Sequence, residues 1–272
     1  VTSESPTPQR FSLVPWIIVL VALVLAVATV ILLVWQTGTA DEPAATGTPS
    51  SADNAPLADG APSPAETAVA ATDFGYQPLW PFDGVDEAVD WQREANPGGH
   101  QPWHLDAGAT ARMFTRDYLG YGDVDKIVKT DVRGDEAWVS VGFDNPSGAT
   151  VTAAVVHLAR IGAGADRPWE VVGTEDGTLT LNKPGYGAPV TSPVTVGGRI
   201  TGVDESLRVQ IRTQGRAQPL AEASATPAGG TDVPWSATVK FPGGCPGVLT
   251  VAVSTGGHVA EVERFAVTGV RC

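Results

Sequence analysis

Leu13 to Trp35 reads LVPWIIVLVALVLAVATVILLVW, a run of 23 residues without a charge. As a helix it would rise roughly 34 Å at about 1.5 Å per residue, enough to cross a hydrocarbon layer of about 30 Å with some tilt. Trp16 and Trp35 stand where interfacial anchors belong, and Pro15 falls in the first turn, where its missing N–H costs little. Arg10 precedes the run while Asp41 and Glu42 follow it, an asymmetry that keeps the N-terminus in the cytoplasm. The sequence therefore predicts a cytoplasmic tail (1–12) and a single-pass signal-anchor helix (13–35) with the lipid bilayer as its partner. Everything that follows is expected outside the cell membrane. The alternative is a cleaved signal peptide with Gly38-Thr39-Ala40 as its small-residue site, although such peptides have apolar cores of only about 7–15 residues.

The next stretch changes composition. Residues 36–73 hold six acids and no base, set among Ala, Pro, Thr, Ser and Gly with Leu57 and Val69 as the larger aliphatics. Such a stretch buries too little surface to offset its ordering entropy, so residues 36–75 are expected to form a disordered linker. The whole chain carries a net charge of −13 and lacks the clustered Lys and Arg that phosphate contacts require, which argues against nucleic acid as a partner. Its two cysteines are Cys245 and Cys272. In an oxidising compartment they are expected to pair, with a stabilisation on the order of 3–4 kcal/mol from the closed loop; two free thiols are the alternative.

Residues 76–184 read as an α+β domain. An aromatic entry, Tyr76 to Phe82, leads to a short helix at 86–94 with Val89 as its main apolar contact. A clearer helix runs from 106 to 119, with Asp106 as N-cap and Gly120 where a terminating glycine belongs. Ala107, Ala111, Phe114 and Tyr118 recur on one face of it. Strands are expected at 137–143, 151–161 and 168–173, with an edge strand at 178–181. Helix first, then long hairpins ending in Trp169-Glu170-Val171-Val172-Gly173, resembles a reduced nuclear-transport-factor-2-like or cystatin-like cone.

Residues 185–272 read as six short strands: 194–203, 207–213, 220–226, 235–241, 248–254 and 259–270. Gly, Pro and Asp turns between them point to a β-sandwich with Trp235, Val239 and Phe241 on its inner face. Thr191-Ser192-Pro193-Val194-Thr195-Val196-Gly197-Gly198 resembles the SP-x-x-V-x-G opening of the immunoglobulin-like domain of bacterial germination- and sporulation-associated surface proteins. The strands around Leu207–Arg212, Trp235–Phe241 and Gly247–Ser254 continue that resemblance. Ser206-Leu207 departs from it, standing where the family has Phe-Glu. The resemblance implies a binding or spacing module. The expected fold class is thus a single transmembrane helix, a disordered linker, an α+β domain and an all-β immunoglobulin-like sandwich.

Chemistry is sparse. His100 and His104 with Asp106 have metal-like spacing, but they sit in a Pro/Gly loop off any shared helix face, so solvated histidines beside a packed Trp103 are expected instead. The Gly162–Arg167 stretch begins like a dinucleotide fingerprint without its third glycine. Asp83, Asp86, Glu87 and Asp90 lack the spacing of a calcium loop and suit a solvated helix face. No nucleophile elbow or Cys–His pair occurs, so no catalytic residue, metal site or cofactor is expected. Tryptophans 80, 91, 103, 138 and 169 suit either a core or an aromatic platform, with Trp80, Trp91 and Trp103 the candidate binding residues.

These readings favour a non-enzymatic, membrane-anchored interaction protein of a bacterial cell envelope, binding an envelope protein or wall polymer. A ligand-binding or catalytic pocket in the cone of residues 76–184 is the first alternative. A transmembrane sensor acting through a membrane partner is the second, since residues 1–12 are too few to fold.

Overall fold

The structure, a computed structural model, describes residues 73–243 and 247–272. The tail 1–12, the segment 13–35 with Trp16 and Trp35, the linker to residue 72 and Cys245 lie outside the described residues. The described residues belong to one compact unit.

Two expectations need correction. Among the described residues no helix is long and apolar enough to cross a membrane. The helix at Val85–Glu94 has only 10 residues, about 15 Å against a bilayer core of about 30 Å, and carries charges along its length. The expected transmembrane helix therefore has no counterpart here. The Cys245–Cys272 bridge also has none, because the described residues do not include Cys245; Cys272 itself is not a free thiol. At the C-terminus the Cys272 N–H donates to Gly247 O at 3.0 Å and Arg271 Nε–H to Gly187 O at 2.8 Å.

The first helix of the described residues is α1 (Val85–Glu94), whose first turn holds Asp86 and Glu87 and whose last holds Arg93, an arrangement that suits the helix dipole. Ala88 and Trp91, rather than Val89, are its buried residues. Two 3₁₀ turns at Asn96–Gly98 and Pro102–Leu105 lead to α2 (Ala107–Met113). The Asp106 carboxylate caps α2 by accepting the Ala109 N–H at 2.8 Å, satisfying a donor that has no partner within the helix. The helix then widens into a π turn, Phe114–Tyr118, and ends at Gly120 in the left-handed region, φ 81°. The stripe Ala107, Ala111, Phe114 and Tyr118 is buried throughout.

Two antiparallel sheets follow. The first has the order β1 (Lys126–Arg133), β2 (Glu136–Asp144), β3 (Thr150–Arg160), β4 (Trp169–Thr174). Strand β1 escaped sequence reading because it is an edge exposed on both faces: Ile127, Val128 and Val132 are all exposed. With no buried side, the period-two signal is lost.

The second sheet has the order β6 (Ala221–Val239), β5 (Val194–Arg212), β7 (Val248–Thr255), β8 (Arg264–Arg271). Where four short strands are expected, the chain makes one long hairpin, β5 and β6, of 19 residues each. Register shifts between Ile200 and Gly202, Gly202 and Glu205, and Leu207 and Val209 interrupt it, and bulges of this kind bend a ladder without ending it. Among the named strands the first half of β5 pairs with β6 alone, whereas its second half pairs with β6 as far as Ile211 and with β7 over Leu207–Arg212. One cluster joins Val194, Val196, Trp235 and Val239 of the outer half to Leu249, Val251 and Val253 of β7. The strand expected at 259–270 starts only at Arg264, and residues 256–263 form a turn in which the Glu263 carboxylate accepts the N–H groups of His258 and Val259 at 2.8 and 2.7 Å.

The expected edge strand at 178–181 is displaced. Leu179 bridges Ile200 and Lys183 bridges Gly197, so the segment lies on β5 of the second sheet. The two halves are joined more deeply still: Ala252, Phe265 and Val267 of β7 and β8 share a core with Phe114, Val156 and Val171.

The Gly197-Gly198 pair now has a physical reason. A Cβ on Gly198 would stand 1.9 Å from Thr180 O, the same carbonyl that accepts the Trp235 Nε1–H at 3.2 Å. Gly198→Ala is expected to push the 178–183 segment off β5 and to cost about 3 kcal/mol by overpacking and a lost buried hydrogen bond. Chemical denaturation monitored by tryptophan fluorescence checks this; a loss under about 0.5 kcal/mol would refute the close approach.

Candidate functional site

Of the five tryptophans in residues 76–184, Trp169 is fully core. It is 2% exposed, with the Arg160 guanidinium 4.0 Å above its ring. Trp138 is half-buried and stacks on His157, centroids 5.0 Å apart. The other three, Trp80, Trp91 and Trp103, meet at one open cleft of about 400 Å³. They arrive from three different elements: the entry segment, α1 and the 102–105 turn.

Each wall has a local cause. Trp80 is fixed by pairing with β4, where Leu79 N–H donates to Val171 O at 3.0 Å and Val171 N–H to Trp80 O at 2.7 Å. Helix α1 is clamped by Gln92, which accepts the Ala163 N–H at 2.9 Å and donates to Ala163 O and Asp166 O at 2.7 and 2.9 Å. The Gly162–Arg167 stretch is therefore a hairpin loop that receives a helix side chain. Trp103 is set by its 3₁₀ turn, whose carbonyl accepts the Thr110 hydroxyl at 3.0 Å.

The rings form a continuous array. Trp80 lies nearly parallel to Trp103, centroids 5.1 Å apart at 16°. His104 follows at 3.8 Å from Trp103 and stacks on Trp91 at 4.7 Å and 9°, with Phe82 edge-on at 4.8 Å. Contacts of this geometry add specific attraction to area burial. His104 is 4% exposed, which corrects the expectation of a solvated histidine. Its burial pushes the imidazole down to about 4, so the ring is neutral at physiological pH. Neither of its nitrogens has a hydrogen-bond partner, and neither does the buried Trp91 Nε1–H.

Around this aromatic floor the cleft carries Glu87, Asp90 and Glu94 from α1, and no lysine or arginine lines it. Glu87 accepts the Asp83 N–H at 2.6 Å, while Asp90 sits 3.6 Å from Arg93 in an exposed pair of little energetic weight. Beneath the cleft lies Glu170, fully buried, with one oxygen accepting the Phe82 N–H at 3.0 Å. Burial, then the like charges of Glu87 and Asp83, pushes its carboxyl well above the usual range against the backbone donors of Phe82 and Trp80.

The weighed metal set is dispersed: His100 is exposed, His104 is packed among rings and Asp106 caps α2. Among the described residues no group of three or more His, Cys, Asp or Glu is placed to hold a metal ion. A second cleft, of about 410 Å³, lies along β5 and β6 beside Trp235. Its indole N–H is already bonded to Thr180 O, and Arg199 is paired with Asp232 at 2.5 Å. No family model matches the chain, and no curated protein or solved structure matches it.

Sequence reading marked the tryptophans but missed His104 and Glu170 as part of their setting. The only available signal for His104 was its place directly after Trp103 in a turn entering a helix.

The folded His104 takes a proton only near pH 4, whereas the unfolded ring does so near 6.5. Stability from this site is therefore complete above pH 6.5 and is lost as pH falls through that window. Glu170, raised rather than lowered, contributes the opposite slope, so the comparison must be with a variant. His104→Phe is expected to remove several degrees of the fall in Tm between pH 6.5 and 4; equal falls in both proteins would refute neutral burial.

Proposed function

We propose that residues 73–272 form a non-enzymatic binding unit of a bacterial cell envelope, acting outside the cytoplasm, with the Trp80–Trp91–Trp103 cleft as its recognition surface for an envelope protein or wall polymer. The observation that carries this reading is the convergence of three tryptophans from separate elements on one open, acid-rimmed cleft. Trp80 and Trp103 are only half-buried there, and open aromatic walls favour ligands with flat or apolar faces. The acids argue against phosphate-rich or otherwise anionic polymers.

The cone reading receives less support. The face of the first sheet beneath α2 is filled by Phe114, Tyr118, Val139, Val156 and Leu158, all buried, and close packing of this kind leaves no room for a substrate. In the same proposal residues 185–272 serve as an immunoglobulin-like spacing module. Support comes from the long β5–β6 hairpin, whose outer half shares one core with β7.

The test is capture by the full chain, tagged, from native envelope fractions containing proteins and sacculi, followed by mass spectrometry. A single enriched protein or polymer, with recovery reduced ten-fold or more by Trp103→Ala, is the expected result. Recovery unchanged by Trp103→Ala would remove the cleft from the function, and turnover of an envelope substrate would overturn the non-enzymatic reading.

A further inference from the structure

Three features of the cleft specify more than an aromatic surface. Glu87, Asp90 and Glu94 project from successive turns of α1 into its lining, without a lysine or arginine among the lining residues. Trp80 and Trp103, stacked on each other at 5.1 Å, are both half-buried residues of the same cleft, and indoles attract cations through the ring quadrupole. Finally, Trp91 and His104 are residues of the cleft wall more than nine-tenths buried, and the Trp91 Nε1–H and both nitrogens of His104 have no partner.

The unpartnered groups decide between kinds of cation. A bare quaternary ammonium would satisfy the acids and the rings, yet it offers nothing to Trp91, whose indole N–H needs an acceptor. A neutral imidazole presents one donor and one acceptor. A ligand that brings a cation together with amide C=O and N–H groups a few bonds away meets all three demands. A peptide bearing a lysine side chain has that composition: its ammonium donates to carboxylates, and its main chain both accepts and donates.

We propose that this cleft binds a basic segment of a partner protein, taking a lysine side chain between the tryptophans and the α1 carboxylates, with the adjoining peptide group against Trp91 and His104. The inference rests on the cleft being the binding surface and names the chemistry it selects. Arg93, 3.6 Å from Asp90 on the exposed side, would be exchanged for the incoming cation at small cost, since an exposed pair contributes little.

The full chain, labelled with nitrogen-15, is titrated with acetyl-Ala-Lys-Ala-amide while the indole N–H resonances are followed, the Trp91 signal being assigned from Trp91→Phe. The lysine peptide is expected to shift that signal. Its norleucine counterpart should bind at least ten-fold more weakly and its glutamate counterpart not at all. The combined Glu87→Gln, Asp90→Asn, Glu94→Gln variant, changed only at exposed positions, should lose ten-fold or more for the lysine peptide alone. Equal binding of lysine and norleucine peptides, or an unchanged affinity in the triple variant, overturns the cation assignment. Tetramethylammonium matching the lysine peptide overturns the peptide part, and a wall oligosaccharide shifting the Trp91 signal when the lysine peptide does not overturns the whole inference. In that last case, envelope capture that still depends on Trp103 leaves the cleft as the binding surface. Capture independent of Trp103 removes both readings together.

Discussion

Leu79 to Phe82 is held against β4 along its whole length. Leu79 N–H and Trp80 O pair with Val171 at 3.0 and 2.7 Å, Phe82 N–H reaches the Glu170 carboxyl at 3.0 Å, and Phe82 O accepts from Gln214 Nε2 of the second half. The remaining arrangement follows from this short segment. It completes the exposed side of β4, brings Trp80 beside Trp103, and sets Phe82 under α1 with Trp91 and Ile161. A buried carboxyl in such a place is costly when charged. Its raised proton affinity answers that cost by favouring the neutral form, which still accepts a backbone N–H.

The same entry segment ties the two sheets into one body. A Cβ on Gly269 of β8 would stand 2.7 Å from Leu79 Cδ2 and 2.8 Å from Gln77 Cβ, so the segment lies directly on the last strand. Gln77 N–H donates to Tyr186 Oη at 2.7 Å, and Val267 N–H of β8 to Thr174 Oγ1 of β4 at 2.9 Å. Tyr118 completes the link from the helical side, donating to Thr250 Oγ1 at 3.0 Å with the Arg212 guanidinium 5.4 Å from its ring. Cores that continue across residues 184 and 185 resist independent motion of the halves, because neither can separate without exposing apolar surface.

Local rules carried far into this fold, and they stopped where the partner was distant. Asp106 and Gly120 were readable because a cap and a terminating glycine act within a few residues of themselves. Trp235, Val239 and Phe241 were readable because alternation survives wherever one face of a strand is buried. By contrast, β1 has no buried face to write a pattern. Residues 178–181 carry a sound strand pattern but pair with β5, a choice made by the close approach at Gly198 rather than by their own side chains. The β5–β6 hairpin passes through Gly202 and Gly230, residues that normally mark turns, because bulges absorb them. The tryptophans could be named from sequence, yet their convergence depends on Gln92 reaching the 162–166 loop, a contact 71 residues away in the chain.

That convergence also gathers unpaired polar side chains on one wall. Indole and imidazole nitrogens in a closed core would have to find partners, as Trp235 Nε1 and Tyr118 Oη do, since an unmade bond in low dielectric costs a desolvation penalty. Three of the eight buried side-chain polar atoms without a partner among the described residues belong to Trp91 and His104, on the wall of one open cleft. Aromatic stacking supplies the attraction that keeps these rings in place while their edges wait. A ligand that satisfies those edges recovers the penalty, and one that merely covers them leaves it standing. Selectivity at such a site comes from that difference more than from the area of contact.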